Sequence, residues 1–385
     1  MKKLTLSVIA ILFACCYTHA QDAEMDHFVN DLMGKMTLDE KIGQLNLINL
    51  GYGVVTGAAT TNSPQQKIKD GKVGAILSTS GPANVRRTQD LAINESRLKI
   101  PLIFGMDVIH GHKTIFPIPL ALSCTWDPEL IEKSARIAAT EASADGLDWV
   151  YSPMVDLARD PRWGRVAEGS GEDPYLGSLI AAAMVRGHQG PGLDDTAAVM
   201  SCVKHYALYG ASEAGRDYNT VDMSLIRMYQ DYLPPYKAAV QEGAGSIMTS
   251  FNDINGIPAT ANHWLLTEVL RDQWGFDGFV VTDYSSMMEL TFHGLGDLQE
   301  VAALSLRAGV DMDMMGDAFI TTLKKSLEEG RVSMADIDLA CRRVLEAKYK
   351  LGLFEDPYRR INEARAKREL LKPENMAFAR EIARK

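Results

Sequence analysis

Seven short apolar runs recur along this chain between amphipathic stretches, and that rhythm leaves it few folds to adopt. VGAILSTS from Val73, PLIFGMD from Pro101, DWVYSPMVDL from Asp148, AVMSCVKHY from Ala198, SIMTSFN from Ser246, GFVVTDY from Gly278 and AGVDMDMM from Ala308 each read as a strand buried on both faces. Amphipathic helices separate them. One begins at Asp297, an N-cap with Glu300 placed for a capping box, and runs through Leu298, Val301, Ala302 and Leu306 to a stop at Gly309. Strand and helix in such alternation imply a parallel sheet. With about eight such units, an α/β fold closed as a (β/α)8 TIM-like barrel is favoured over an open doubly wound sheet. No GxGxxG follows the first strand, which weakens a dinucleotide-binding fold further.

The polar residues fall in a pattern of their own. Strands end in Asp107, Asp156, Lys204 with His205, Asn252, Asp283 and Asp313. In barrel proteins those ends converge on one rim, where active sites are built. Polar residues also begin loops in any soluble protein, but a buried-strand Lys-His pair with several carboxylates on one rim needs mutual compensation. Carboxylates there suit sugar chemistry or proton transfer. Asp107, Arg165, Lys204 and His205 are of the types that grip hydroxyls, and Tyr284 offers a ring to stack on a neighbouring sugar. Two other classes stay open: an aldolase-like lyase with Lys204 as Schiff-base nucleophile, and a non-catalytic glycan-binding barrel.

Charge and termini narrow the partners. Forty basic against fifty acidic residues give a net charge of −10 with no block of like charges, so nucleic acid is not an expected partner. The first residues carry two lysines, an apolar stretch from Leu4 to Cys16 and a small residue at Ala20, as a secretory signal does. That stretch is too short to span a bilayer, and no later window is apolar enough, so a periplasmic or secreted protein is expected. Leu12-Phe13-Ala14-Cys15 loosely resembles a lipidation box, and Phe13 is large for one. Beyond Cys15 and Cys16 the cysteines are Cys124, Cys202 and Cys341, far apart and read as buried apolar thiols. His110 and His112 alternate on a loop with no further ligand in motif, so they read as hydrogen-bonded loop residues. No metal and no cofactor are expected.

At this point the residues resemble a known family. FGMDVIHGHKTIFPIPL, SPMVDLARDPRWGRVAEGSGEDPYLGS, VKHYALYGASEAGRDYNTVDMS, MTSFNDINGIPATAN and GFDGFVVTDYSS, followed by the RVL…K…LGLF helix at residues 343–354, look like glycoside hydrolase family 3, nearest its periplasmic β-glucosidase branch. The resemblance implies hydrolysis of terminal non-reducing β-D-glucosyl residues from β-glucosides and oligosaccharides by retaining double displacement. It implies Asp283 as the nucleophile and Asp107, Arg165, Lys204, His205 and Arg216 as sugar-binding residues, with Tyr284 beside them. For Arg165 and Arg216 the alternative is an ion pair with Glu168, Glu172 or Asp217, nearly as good a reading for Arg216, and for Lys204 it is a buried pair with a rim carboxylate, which is compatible with sugar binding. Phe251 departs from the tyrosine of many relatives. The domains implied are a signal peptide over 1–20, the barrel over 21–355, and over 356–385 the start of a linker to an α/β sandwich domain absent from this sequence. In two-domain relatives that domain carries the acid/base glutamate. β-Xylosidase is an alternative. β-N-Acetylhexosaminidase is another, weakened because the loop that carries its histidine reads YGASEAGRD here, with Glu213 and no His. A homodimer is compatible with everything above.

Overall fold

A computed structural model of the chain describes residues 23–51 and 62–385; the signal-like segment lies outside the described residues. The strands are β1 (Asn46–Asn49), β2 (Ala75–Leu77), β3 (Ile103–Met106), β4 (Trp149–Val150), β5 (Met200–Tyr206), β6 (Ser246–Thr249), β7 (Asp253–Ile254), β8 (Ile257–Pro258), β9 (Phe279–Val281) and β10 (Asp313–Met314). Eight of them form one parallel sheet in the order β10-β1-β2-β3-β4-β5-β6-β9, and β7 with β8 makes a small antiparallel hairpin. The sheet closes on itself. Val281 bridges Met312 in parallel, and the amides of Asp311 and Met312 donate to the Val280 carbonyl at 2.8 and 3.0 Å. This is the (β/α)8 barrel that the alternating pattern predicts.

β5, β6 and β9 are buried along their whole length. Inside the barrel, Gly105 on β3 leaves room for aromatic packing: a methyl there would lie 2.4 Å from the Tyr151 hydroxyl and 2.9 Å from the Trp149 ring. Trp149 meets Tyr151 edge-on at 4.7 Å. The sequence pattern misses β1, because NLIN is bracketed by two asparagines that look like turn residues; both are buried here. Helix Leu298–Ala308 forms as expected, with the Asp297–Glu300 capping box and a left-handed stop at Gly309, φ +115°.

Residues 356–385 pack on the barrel. Arg360 is buried and donates to the carbonyls of Leu193, Leu351 and Ala198 at 2.7, 3.1 and 3.2 Å, with Asp148 at 3.4 Å. Helices Glu363–Glu369 and Pro373–Ile382 lie against helix Pro128–Ala144. Phe378 and Ile382 join Phe116, Ile131 and Ile180 in a second apolar cluster. The expectation of three buried thiols needs correcting: Cys202 and Cys341 are buried, but Cys124 caps the C-terminus of the short helix Pro119–Ser123 and is exposed. His110 Nδ1 lies 2.9 Å from the Phe116 carbonyl, and His112 Nε2 lies 2.8 Å from Asp145, so both histidines brace their loop. Among the described residues no helix is long and apolar enough to cross a membrane.

Candidate active site

At the C-terminal ends of the strands a cavity of about 280 Å³ opens, lined by Asp107, Arg165, Lys204, His205, Asp283 and Tyr284 with Tyr151, Tyr218, Phe251 and Glu289. A larger cavity of about 630 Å³ lies elsewhere, around Phe28, Leu193 and Tyr349, and holds none of the sequence-predicted site residues. Strand geometry explains the cluster. Asp107 follows β3, Phe251 follows β6 and Asp283 follows β9, so closure of the barrel brings them to one rim. Lys204 and His205 are neighbours on β5, where successive side chains normally point to opposite faces. Here the pleat is interrupted, with the β5–β6 register shifting between Val203 and Tyr206 and the Lys204–His205 peptide cis, and both side chains line the cavity.

Charges are paired before any ligand arrives. The buried Lys204 Nζ lies 2.6 Å from Asp107 Oδ1, and Asp107 is 40% exposed at the cavity mouth. Arg165 holds Glu168 through two bonds, Nε at 2.7 Å and Nη2 at 2.8 Å, and lies 5.6 Å from the centre of the Tyr209 ring. Burial alone would lower the Arg165 pKa, but Glu168, then Asp283 and Asp156, hold it above its ordinary value, so it is a fixed cation. His205 is enclosed. Its Nδ1 lies 2.9 Å from Asp156 Oδ2, its Nε2 3.4 Å from Asp283 Oδ2, and burial, followed by Arg165, pushes its pKa down to about 3. The imidazole is therefore neutral near pH 7.

Asp283 sits with one carboxylate oxygen engaged and one open. Oδ1 accepts the Tyr284 amide at 2.7 Å, while Oδ2 is buried with no hydrogen-bond partner among the described residues. A carboxylate held this way beside two cations and a neutral histidine is oriented for attack on an electrophilic carbon. Tyr151 adds to the same cavity a buried hydroxyl with no hydrogen-bond partner among the described residues, and burial with Asp107 raises its pKa well above normal. Glu289 is half-buried in helix Ser286–Leu290, and burial with Asp283 raises its carboxyl.

The structure thus brings together every sequence-predicted site residue except Arg216. That side chain is exposed on the loop after β5 and does not line the cavity; Asp217, its expected ion-pair partner, accepts the Trp163 indole at 2.8 Å instead. Asp156 and Asp313 act as supports: Asp156 backs His205, and Asp313 accepts the amide of Ala318 at 2.7 Å. Sequence reasoning missed Tyr151, Tyr218 and Glu289. Glu289 carried a signal, standing on the same short segment as Asp283; the tyrosines carried none, since Tyr151 stands in an apolar run and reads as core, and Tyr218 stands in the polar stretch GRDYNTVD and reads as a loop residue.

Fold and rim define a (β/α)8-barrel protein with a carboxylate-and-cation cavity at the strand C-termini, the class in which carbohydrate-processing sites are built. Comparison with known sequences and structures narrows the class. Residues 37–347 match the Glycosyl hydrolase family 3 N terminal domain, and the chain belongs to that family. It is 47% identical over 334 residues to a periplasmic beta-glucosidase of Salmonella typhimurium, covering 86% of this chain and 43% of that protein. It is 38% identical over 356 residues to a beta-xylosidase of Formosa agariphila, covering 86% of this chain and 49% of that protein. Among solved structures it resembles a beta-glucosidase of Listeria innocua in complex with isofagomine, with a TM-score of 0.89 and 43% identity over 92% of this chain and 50% of that one. A mutant of the Listeria enzyme in complex with laminaribiose gives a TM-score of 0.87 and 44% identity, over 92% of this chain and 51% of that one. The chain spans about half the length of these relatives.

Proposed function

We propose that this barrel carries the glycosyl-transfer site of a retaining β-glucosidase, acting on terminal non-reducing β-D-glucosyl residues of β-glucosides and oligosaccharides. The observation that carries the reading is Asp283, whose buried Oδ2 has no hydrogen-bond partner among the described residues and lies 3.4 Å from His205 Nε2 in a cavity flanked by Lys204 and Arg165. Asp283 attacks the anomeric carbon and the aglycone oxygen departs with the bonding pair. Water then displaces the carboxylate from the same carbon, giving net retention. Lys204, Asp107 and Arg165 hold the sugar hydroxyls, and their charge-assisted bonds strengthen as the ring develops positive character. Tyr284 and Phe251 supply apolar faces. Lys204 is ion-paired with Asp107 at 2.6 Å, which disfavours its use as a Schiff-base nucleophile. The signal-like first residues and the name of the Salmonella relative support export to the periplasm.

An activated 2-deoxy-2-fluoro-β-glucoside tests the nucleophile, because a good leaving group departs without a proton and the test is independent of the acid/base group. Mass spectrometry of the digested chain is expected to find one sugar on the peptide containing Asp283 and none in an Asp283→Ala variant. Label on another residue, or none with either the glucoside or the corresponding xyloside, overturns the reading. Faster labelling by the xyloside moves the assignment to β-xylosidase.

A further inference from the structure

Behind the sugar-facing edge of His205 lies a closed hydrogen-bond cage to which the glycosidase reading assigns no work. Asp156 is fully buried. Its Oδ2 lies 2.8 Å from the His205 amide nitrogen and 2.9 Å from His205 Nδ1. Its Oδ1 lies 2.6 Å from the Tyr236 hydroxyl, which is also 2.6 Å from the His205 carbonyl oxygen. Charged groups facing this cage are Arg165, Glu168 and Asp283 from other elements and Lys204 from β5 itself, with the Tyr209 ring edge-on to His205 at 5.2 Å.

The hydrogens in the cage can be assigned from its donors and acceptors. A backbone amide always donates, so Asp156 Oδ2 accepts there, and an Asp156 that is ionised or carries its proton on Oδ1 meets Nδ1 only by accepting its hydrogen. A neutral ring has only one N–H. Nε2 therefore meets the cavity as a lone pair, beside the partnerless Asp283 Oδ2 at 3.4 Å. Two acceptors side by side favour a donor between them.

We propose that Asp156, steadied by Tyr236, is a positioning residue that holds His205 in its Nδ1–H form, so that Nε2 and Asp283 Oδ2 together seat one sugar hydroxyl. This rests on the glycosidase reading for the identity of the guest, and on the cage alone for the tautomer. The hydrogen count goes further. The cage has four short contacts, and an ionised Asp156 leaves only three hydrogens for them: the amide N–H, Nδ1–H and the Tyr236 O–H. A proton on Asp156 Oδ1 supplies the fourth, donated to Tyr236 while Tyr236 donates to the His205 carbonyl. Burial raises Asp156 toward that state, up to about 6, so the carboxyl is mostly ionised near pH 7 and takes up this hydrogen as pH falls below that value. Asparagine reproduces the filled cage, its Oδ1 accepting both N–H groups and its amide donating to Tyr236. Alanine leaves Nδ1 with no acceptor.

Two-bond ¹H–¹⁵N spectra of the chain labelled with [¹⁵N]histidine read the tautomer directly, with His205 assigned by its disappearance in His205→Gln. The expected pattern is a pyrrole-type Nδ1 and a pyridine-type Nε2 in the unaltered chain and in Asp156→Asn, and a mixture of tautomers in Asp156→Ala. A pyrrole-type Nε2 in the unaltered chain overturns the proposal by itself, as does an unchanged ring in Asp156→Ala. Labelling of Asp283 by the fluoroglucoside gives the second reading: on the order of a hundredfold slower in Asp156→Ala and much less slowed in Asp156→Asn. Equal loss in both variants overturns the positioning role. An Nδ1–H ring in a chain that no glycoside labels overturns the glycosidase reading and leaves the tautomer assignment standing.

Discussion

Asp107 and Asp283 stand just beyond β3 and β9, Asp156 on the loop after β4 and Asp313 at the start of β10, and their surroundings divide the work among them. Asp107 is open to solvent and paired with Lys204, so it can trade that partner for sugar hydroxyls. Asp283 keeps an unpartnered oxygen for bond formation. Asp156 and Asp313 are fully buried, and burial pushes each up to about 6. For Asp313 this has a stability consequence with a definite sign. Its folded pKa lies above the unfolded value of 3.8, so its favourable contribution is complete below about 4 and is lost as pH rises through about 6. The loss is on the order of 2–3 kcal/mol. Asp313→Asn cannot titrate and its carbonyl still accepts the Ala318 amide. Urea unfolding at pH 4.5 and pH 7.5 is expected to show the variant gaining on the unaltered chain at the higher pH. A difference in stability that does not change with pH would place Asp313 in a less buried state than the structure shows.

At the scale of elements, register and side-chain size control what the rim presents. Lys204 and His205 both line one cavity where the β5–β6 register shifts, and the absence of a side chain at Gly105 lets Tyr151 reach it from β4. Gly105→Ala would bring a methyl to 2.4 Å from the Tyr151 hydroxyl, so the ring has to move. Such overpacking typically costs about 1–3 kcal/mol. Because Tyr151 lines the cavity, the variant is expected to lose both thermal stability and labelling rate at Asp283. Loss of stability with unaltered labelling would show that Tyr151 takes no part in holding the sugar. The helices are governed more locally: the capping boxes at Thr37–Glu40, Asp297–Glu300 and Ser333–Asp336 all form as their sequences specify.

At the scale of the whole molecule, the C-terminal segment locks the end of the barrel opposite the site. Arg360 ties carbonyls from the 193–198 turn and from the end of helix Met334–Lys350 to the buried Asp148 before β4. Glu141 ties the amide of Leu371 to those of Lys113 and Thr114, on the loop that follows Asp107. Replacing Arg360 by methionine leaves Asp148 buried without its cation, a change that costs about 3–5 kcal/mol. Burial already holds Asp148 up to about 6, so protonation relieves that cost. Arg360→Met is expected to be less destabilising at pH 5 than at pH 8 by thermal melting. The opposite order would mean that Asp148 is not the partner that matters.

The barrel and most of its site were legible in sequence because they depend on local periodicity and on residue type: apolar runs of strand length, caps at helix starts, and Asp107, Lys204, His205 and Asp283 at strand ends. β1 was not, since its buried asparagines carry the signature of a turn, and the packing of residues 356–385 was not, since many charges conceal Arg360, Phe378 and Ile382 on the inner side. Tertiary structure alone decided that Arg216 stays outside the cavity while Tyr151, Tyr218 and Glu289 enter it. It alone closed the Asp156 cage around His205. Periodicity states which face a residue occupies. Which lone pair ends up opposite which oxygen depends on the register between strands, and that is settled only when the barrel closes.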